Sequence, residues 1–203
     1  MFASVAELKH TIVTLSPDEF VDQKLLNGVS AHFGSDRIEH TAQMLSQEYR
    51  IDVSDAELLV VGSAKIGYAL HEKKKEGKDH QPAFRSYDHN SDIDLAVCCP
   101  KLFERLWYEL NAHFCRKNYI PFESGKVGDY LCYGWLRLDR LPRSEMQGLG
   151  LYRQLLEIIA GLRKDTERGH PKLEIGIFHD REHLRMYQVR SVGSCRHKLE
   201  SPL

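Results

Sequence analysis

Asp92 and Asp94 stand one residue apart in the run Ser91-Asp92-Ile93-Asp94-Leu95-Ala96-Val97. On a strand, side chains alternate between faces. Both aspartates therefore project from one side, with Cβ atoms about 6.5–7 Å apart. Carboxylates so close repel each other unless a cation lies between them. Magnesium is the fitting partner, because it takes oxygen ligands and keeps water and phosphate in its shell. Two such ions, about 3.5–4 Å apart, would stabilise both the attacking and the leaving oxygen of an in-line displacement at phosphorus. The charges interrupt an apolar strand, where they cost stability unless something offsets them.

Such chemistry also needs donors for phosphate. Gly62-Ser63 follows the apolar run Leu58-Leu59-Val60-Val61. The glycine lets backbone approach a ligand closely. The Ser63 hydroxyl and the first amides of a following helix can then meet phosphate oxygens, with Lys65 adding positive charge.

The elements that would position these groups follow from pattern. Ser16-Pro17-Asp18-Glu19 is a capping box with proline at the first helical position, predicting a helix to about residue 31. A second helix opens at Ser35-Asp36, its apolar face marked by Ile38, Ala42, Leu45 and Tyr49. Residues 58–61 predict a buried strand, 64–70 a helix, and 71–82 a solvated loop or insertion ending in the breaker Pro82. Residues 91–99 predict the second strand. Leu102, Phe103, Leu106, Leu110 and Phe114 mark an amphipathic helix. Strands are expected over 130–138 and 172–178, with a helix over 149–162 between them. A basic helix is expected over 180–199. The order implies an α+β or mixed α/β chain, a small sheet covered by helices.

The two motifs, Val60-Val61-Gly62-Ser63-Ala64-Lys65-Ile66-Gly67 and Ser91-Asp92-Ile93-Asp94-Leu95-Ala96-Val97, resemble the signatures of the DNA polymerase beta-like nucleotidyltransferase superfamily. The match is good over about residues 58–110 and holds only in outline elsewhere. Gly67 matches a second glycine common in small bacterial members. The resemblance implies a nucleotidyltransferase fold of the α+β class over 1–203. Within it, 1–50 would be a helical extension, 71–90 an insertion and 180–203 a basic C-terminal helix. It implies that Gly62, Ser63 and Lys65 bind the tail of a nucleoside triphosphate, most naturally ATP, and that Asp92 and Asp94 hold two Mg2+ ions. A third acid on a later strand completes such sites. Glu174 has the right parity in Leu173-Glu174-Ile175-Gly176-Ile177, Asp139 is its rival, and a site lacking the third acid is the remaining alternative. The segment between the motifs is longer than in minimal members. It reads as a surface insertion, or as a basic flap carrying Lys73, Lys74, Lys75, Lys78 and Arg85.

Two functions follow. One is an enzyme that passes a nucleoside monophosphate to the hydroxyl of a protein, an RNA end or a small molecule and releases pyrophosphate. The other is a nucleotide-binding regulatory or antitoxin-type module with weak or no turnover, engaging a protein partner.

Composition bounds both. The 203 residues are 42% apolar and 28% charged, the profile of an ordinary globular chain rather than a disordered one. A net charge of -1 supplies no global field for a polyanion. No apolar run is long enough to span a bilayer, and residues 1–15 are not expected to be a secretory signal. Five cysteines without a Cys-x-x-Cys pattern argue against a disulfide framework and for a reducing, cytoplasmic compartment. Cys98 and Cys99 read as small buried hydrophobes. His179 and His183, four residues apart, read as a solvated helix start rather than a metal site. Arg181, Arg185, Arg190, Arg196 and Lys198 read as an exposed basic face, with nucleic-acid contact the alternative. Trp107, Tyr108 and Trp135 are expected in the core.

Overall fold

The computed structural model describes residues 2–28, 30, 32–73, 80–88, 91–117, 125–137, 140–141, 143–146, 148–165 and 172–201. Lys74, Lys75, Lys78 and Asp139 therefore lie outside the described residues.

The chain is α+β, as its pattern implies. Helix α1, Val5–Thr14, opens on Ser4, whose hydroxyl accepts from the Glu7 amide. Helix α2, Pro17–Phe20, carries the expected capping box. The Glu19 amide donates to Ser16 Oγ at 3.2 Å and the Ser16 amide to Glu19 Oε2 at 2.9 Å. It continues as a π-helical turn, Val21–Leu26, and ends earlier than expected, before Gly28 at φ +76°. Helix α3, Ser35–Tyr49, turns Thr41, Leu45 and Tyr49 inward, while Ile38 and Ala42 are half-buried.

Strand β1 is Glu57–Val61 and β2 is Ile93–Cys98. Ile93, Leu95 and Val97 are at most 1% exposed, each burial contributing about 1.5–3 kcal/mol. That row fixes the register of β2, since a slip of one residue would turn Asp92 and Asp94 into the core. Between the strands, helix α4 is a single turn, Ser63–Ile66. The helix expected over 64–70 stops at Gly67, which adopts φ +88°. Residues 67–73 then pair with 81–87 through bridges Tyr68–Ser86 and Lys73–Gln81. The described residues thus form a bridged arm, while 74–79 and 89–90 of the expected insertion lie outside them.

Pro100 opens α5, Pro100–Lys117, which buries Leu102, Phe103, Leu106, Leu110 and His113. Trp107 and Tyr108 are 44% and 72% exposed, not in the core. A helix turns about 100° per residue, so an inward Leu106 carries its two successors outward. The strand expected over 130–138 is mostly something else. Helix α6, Gly125–Leu131, takes up Tyr130 and Leu131, Gly134 turns the chain at φ +61°, and β3 is only Trp135–Leu136. Helix α7, Arg143–Met146, supplies the buried Glu145, which lies 2.8 Å from His113 Nε2 and accepts from Lys117 Nζ at 2.7 Å. This pairing explains why His113 takes the inward place expected of Phe114. Helix α8, Gly150–Lys164, and α5 both pack on β4, Leu173–Phe178. Helix α9 is Arg181–Glu200.

The strands form one sheet in the order β1-β2-β4-β3. Strands β3 and β4 are antiparallel, with Trp135 opposite Phe178 and Leu136 opposite Ile177. The C-terminal ends of β2 and β4 meet where the Cys99 amide donates to the Phe178 carbonyl at 3.2 Å. By its contacts the chain divides into two compact units. One comprises Met1–Ser35, Val60–Asp94 and Arg185–Leu203, with Leu8, Phe20, Leu25 and Ile66 at its centre. The other comprises Asp36–Leu59 and Leu95–Leu184, centred on Leu45, Leu102, Leu155 and Leu173.

Cys98 and Cys99 are buried, as expected. Burial, helped by the Glu57 charge, pushes the Cys98 thiol up to about 12, so it is no nucleophile near neutrality. Among the described residues, no helix is long and apolar enough to cross a membrane.

Candidate functional site

The first unit holds Gly62, Ser63, Asp92 and Asp94. Gly62 follows β1 at φ +66°, ψ -150°, a backbone region that only glycine occupies readily. A Cβ at Gly62 would lie 2.8 Å from Asp94 Oδ2, so glycine is required twice. The Asp94 carboxylate therefore sits directly against the turn that the sequence reads as a phosphate cradle. The turn closes through Lys65 N–H to the Gly62 carbonyl at 3.1 Å and Gly67 N–H to the Ser63 carbonyl at 2.8 Å. With four residues, α4 has little macrodipole. Donation to an anion falls to the amides of the turn and the half-buried Ser63.

Lys65, read above as a phosphate ligand, lies at the end of this turn. It is 8% exposed, and its ammonium donates to the Gly28 carbonyl. Ser30 Oγ donates to the Ala64 carbonyl at 2.7 Å. Together these bonds tie the turn to the segment after α2.

Asp92 precedes β2, with its side chain 41% exposed. Ser91 holds the approach to it. The Ser91 amide donates to the Asp88 carbonyl at 3.0 Å, and its hydroxyl to the Asp88 carboxylate at 2.9 Å. Lys73 Nζ stands 3.5 Å from Asp92 Oδ2. At that exposure the pair adds only about 0–1 kcal/mol to stability. Its interest is electrostatic, because it brings a cation beside a carboxylate of the motif.

The arm that carries Lys73 is well fixed. Lys73 and Gln81 exchange backbone hydrogen bonds at 2.9 and 3.1 Å. Arg85 Nη1 donates to the carbonyls of His71 and Pro82, so Arg85 braces the arm rather than extending from it. His71 Nε2 lies 2.8 Å from Ser191 Oγ. Burial and then the Lys198 charge hold the His71 imidazole below its ordinary pKa. His32 stacks on Tyr87, 4.1 Å between ring centroids, at the base of the arm.

Glu174 belongs to β4, with its side chain 58% exposed. Arg163 engages it at 2.5 Å and also donates through Nε to the Leu173 carbonyl at 2.8 Å. The third acid expected from the resemblance is thus already in an ion pair within its own unit.

Helix α9 spends much of its basic character internally. Arg185 bonds Asp22 and Asp18, at 2.7 and 2.8 Å, and Arg196 bonds Glu200 at 2.8 Å and the Leu15 carbonyl at 3.0 Å. Arg181 pairs with Glu57. These ties match an ordinary helix face more closely than a nucleic-acid surface.

His179 and His183, read above as a solvated helix start, close on the Asp180 between them. Asp180 draws in both neighbouring imidazoles, with His179 Nδ1 2.9 Å from Oδ2 and His183 Nδ1 2.8 Å from Oδ1. It also caps α9, accepting from the His183 amide at 2.9 Å. Partial burial pushes the Asp180 carboxyl up. The hydrogen bonds from the His183 amide and the two side chains outweigh it and hold the group well below the usual carboxylate range. The spacing of the two histidines was the available signal; the carboxylate between them gave it its geometry. No protein-family model, no curated protein and no solved structure matches this chain.

Proposed function

We propose that this chain is a metal-dependent nucleotidyltransferase, which passes a nucleoside monophosphate from a nucleoside triphosphate to an acceptor hydroxyl. The observation that carries the reading is the Asp94 carboxylate lying against Gly62, at the head of the Ser63 turn. The contact supports the reading because it sets a half-buried carboxylate of one motif directly against the glycine turn of the other.

The residues present fit the metal that the resemblance implies. Asp92 and Asp94 offer hard carboxylate oxygens at the start of one strand, and these two would hold magnesium. When bound, magnesium neutralises triphosphate charge and that of the leaving pyrophosphate. The chain's own groups do the positioning. Gly62 admits the triphosphate close to backbone, and Ser63 donates to a phosphate oxygen. Lys73 exchanges its place beside Asp92 for one beside the phosphates. The acceptor hydroxyl loses its proton to solvent as its oxygen attacks the α-phosphorus, the bond from that phosphorus to the oxygen bridging to the β-phosphate breaks, and pyrophosphate departs. The acceptor is a protein, an RNA end or a small molecule.

A second reading is a nucleotide-binding module of weak turnover, with a protein partner. The Arg163–Glu174 ion pair favours it, since it occupies the expected third acid. Incubation with each α-labelled nucleoside triphosphate and magnesium, with and without cell lysate, separates the two. Label transfer abolished in Asp92→Asn and Asp94→Asn establishes the enzyme. Saturable nucleotide binding without transfer under any condition establishes the module.

A further inference from the structure

We propose that His179, Asp180 and His183 bind one divalent transition-metal ion, zinc being the natural case, where β4 passes into α9. The proposal is independent of the nucleotidyltransferase reading. Among the described residues this is the one group of three metal-ligating side chains whose donor atoms converge, all within 4.8 Å of one another. Two imidazoles and a carboxylate form the donor set that zinc favours over magnesium.

The spacing fits an ion. Both Nδ1 atoms lie 2.8–2.9 Å from the Asp180 oxygens. Tetrahedral bonds of about 2.0–2.1 Å put neighbouring donors roughly 3.3 Å apart, so a small opening of the cluster admits the metal. The ion takes the place of the protons that now join the imidazoles to the carboxylate. The surroundings are built for it. Glu104 Oε1 lies 3.7 Å from His179 Nε2, on the far side of the ring, where an outer carboxylate orients a ligating imidazole and raises its basicity. Gly134 backs the other ring so closely that a Cβ there would lie 2.4 Å from His183 Cδ2. Its carbonyl also accepts from the His179 amide at 2.8 Å. Phe103 meets the His179 ring edge-on at 5.3 Å. The three ligands are about one-third exposed, so an ion can enter. Three protein donors leave a fourth position for water or a ligand, beside a hollow lined by Phe103, Trp107 and Leu131.

The test uses the full chain, freed of metal by dialysis against chelator. Zn2+ is titrated calorimetrically, and Co2+ is added separately to read the visible absorption of low-symmetry coordination. The variants are His179→Gln, His183→Gln and, as a control for the acidic motif, Asp92→Asn/Asp94→Asn, each checked for folding by circular dichroism. The expected result is one equivalent of Zn2+ on the wild type and on the Asp92/Asp94 variant. Binding should be at least about tenfold weaker in each folded histidine variant, with the cobalt band lost. If a histidine variant fails to fold, Glu104→Gln, which leaves the three ligands intact, must weaken Zn2+ binding while keeping its stoichiometry. No saturable Zn2+ binding to the wild type overturns the proposal, as does undiminished binding in folded histidine variants or binding lost only with Asp92 and Asp94.

Discussion

Gly62 and Asp94 are in contact across the two motifs, the carboxylate Oδ2 occupying the space that a β-carbon on residue 62 would need. Gly62→Ala therefore meets two penalties. The backbone region alone costs about 1–3 kcal/mol, and the Asp94 carboxylate must also move. Urea denaturation should show a loss of at least that size, together with weaker binding of a magnesium–nucleotide complex. A variant of unchanged stability and affinity would show that the contact is incidental.

Lys73→Ala is expected to behave in the opposite way. The Lys73–Asp92 pair is exposed on both sides, so stability should change by no more than about 1 kcal/mol. Affinity for a triphosphate should fall, and the remaining affinity should depend less on salt. A wild-type salt dependence in the variant would remove Lys73 from the site.

Acid should act on the first unit through His71. Its folded pKa is lowered, so the unfolded chain takes up the proton first as pH falls. The stability contribution is intact above the ordinary imidazole value of about 6.5 and declines below it, through to the folded value. His71→Gln keeps a donor for Ser191 but has no proton to gain. Denaturation at several pH values should show a shallower acid loss for the variant than for the wild type. Parallel profiles would contradict this assignment.

The candidate residues could be singled out because their signals are local. Gly62, Asp92 and Asp94 are specified by an apolar run, a glycine and period-two alternation, all within a few residues. The capping box at Ser16 and Glu19 is equally local, and it stands as read. What the sequence did not show depended on distant partners or on backbone turns. Lys65 looked free to meet phosphate, yet Gly28, far back in the chain, receives its ammonium. Glu174 has strand parity suited to an active site, but Arg163 of α8 engages it. The aromatic run near Tyr130 suggested a long strand, and Gly134, at positive φ, divides it into a helix end and a two-residue strand. The pairing of 67–73 with 81–87 gave no alternation to read, because its two bridges are held mainly by backbone.

The central claim is that Gly62-Ser63 and Asp92/Asp94 form one site for a metal-bound triphosphate. The most direct measurement is calorimetric titration of the full chain with a non-hydrolysable ATP analogue, and with the other nucleoside triphosphates, with and without magnesium. The account predicts saturable binding that requires magnesium and is lost in folded Asp94→Asn and Gly62→Ala variants. Absence of binding to every nucleotide with magnesium present, or equal binding by wild type and both variants, would contradict it.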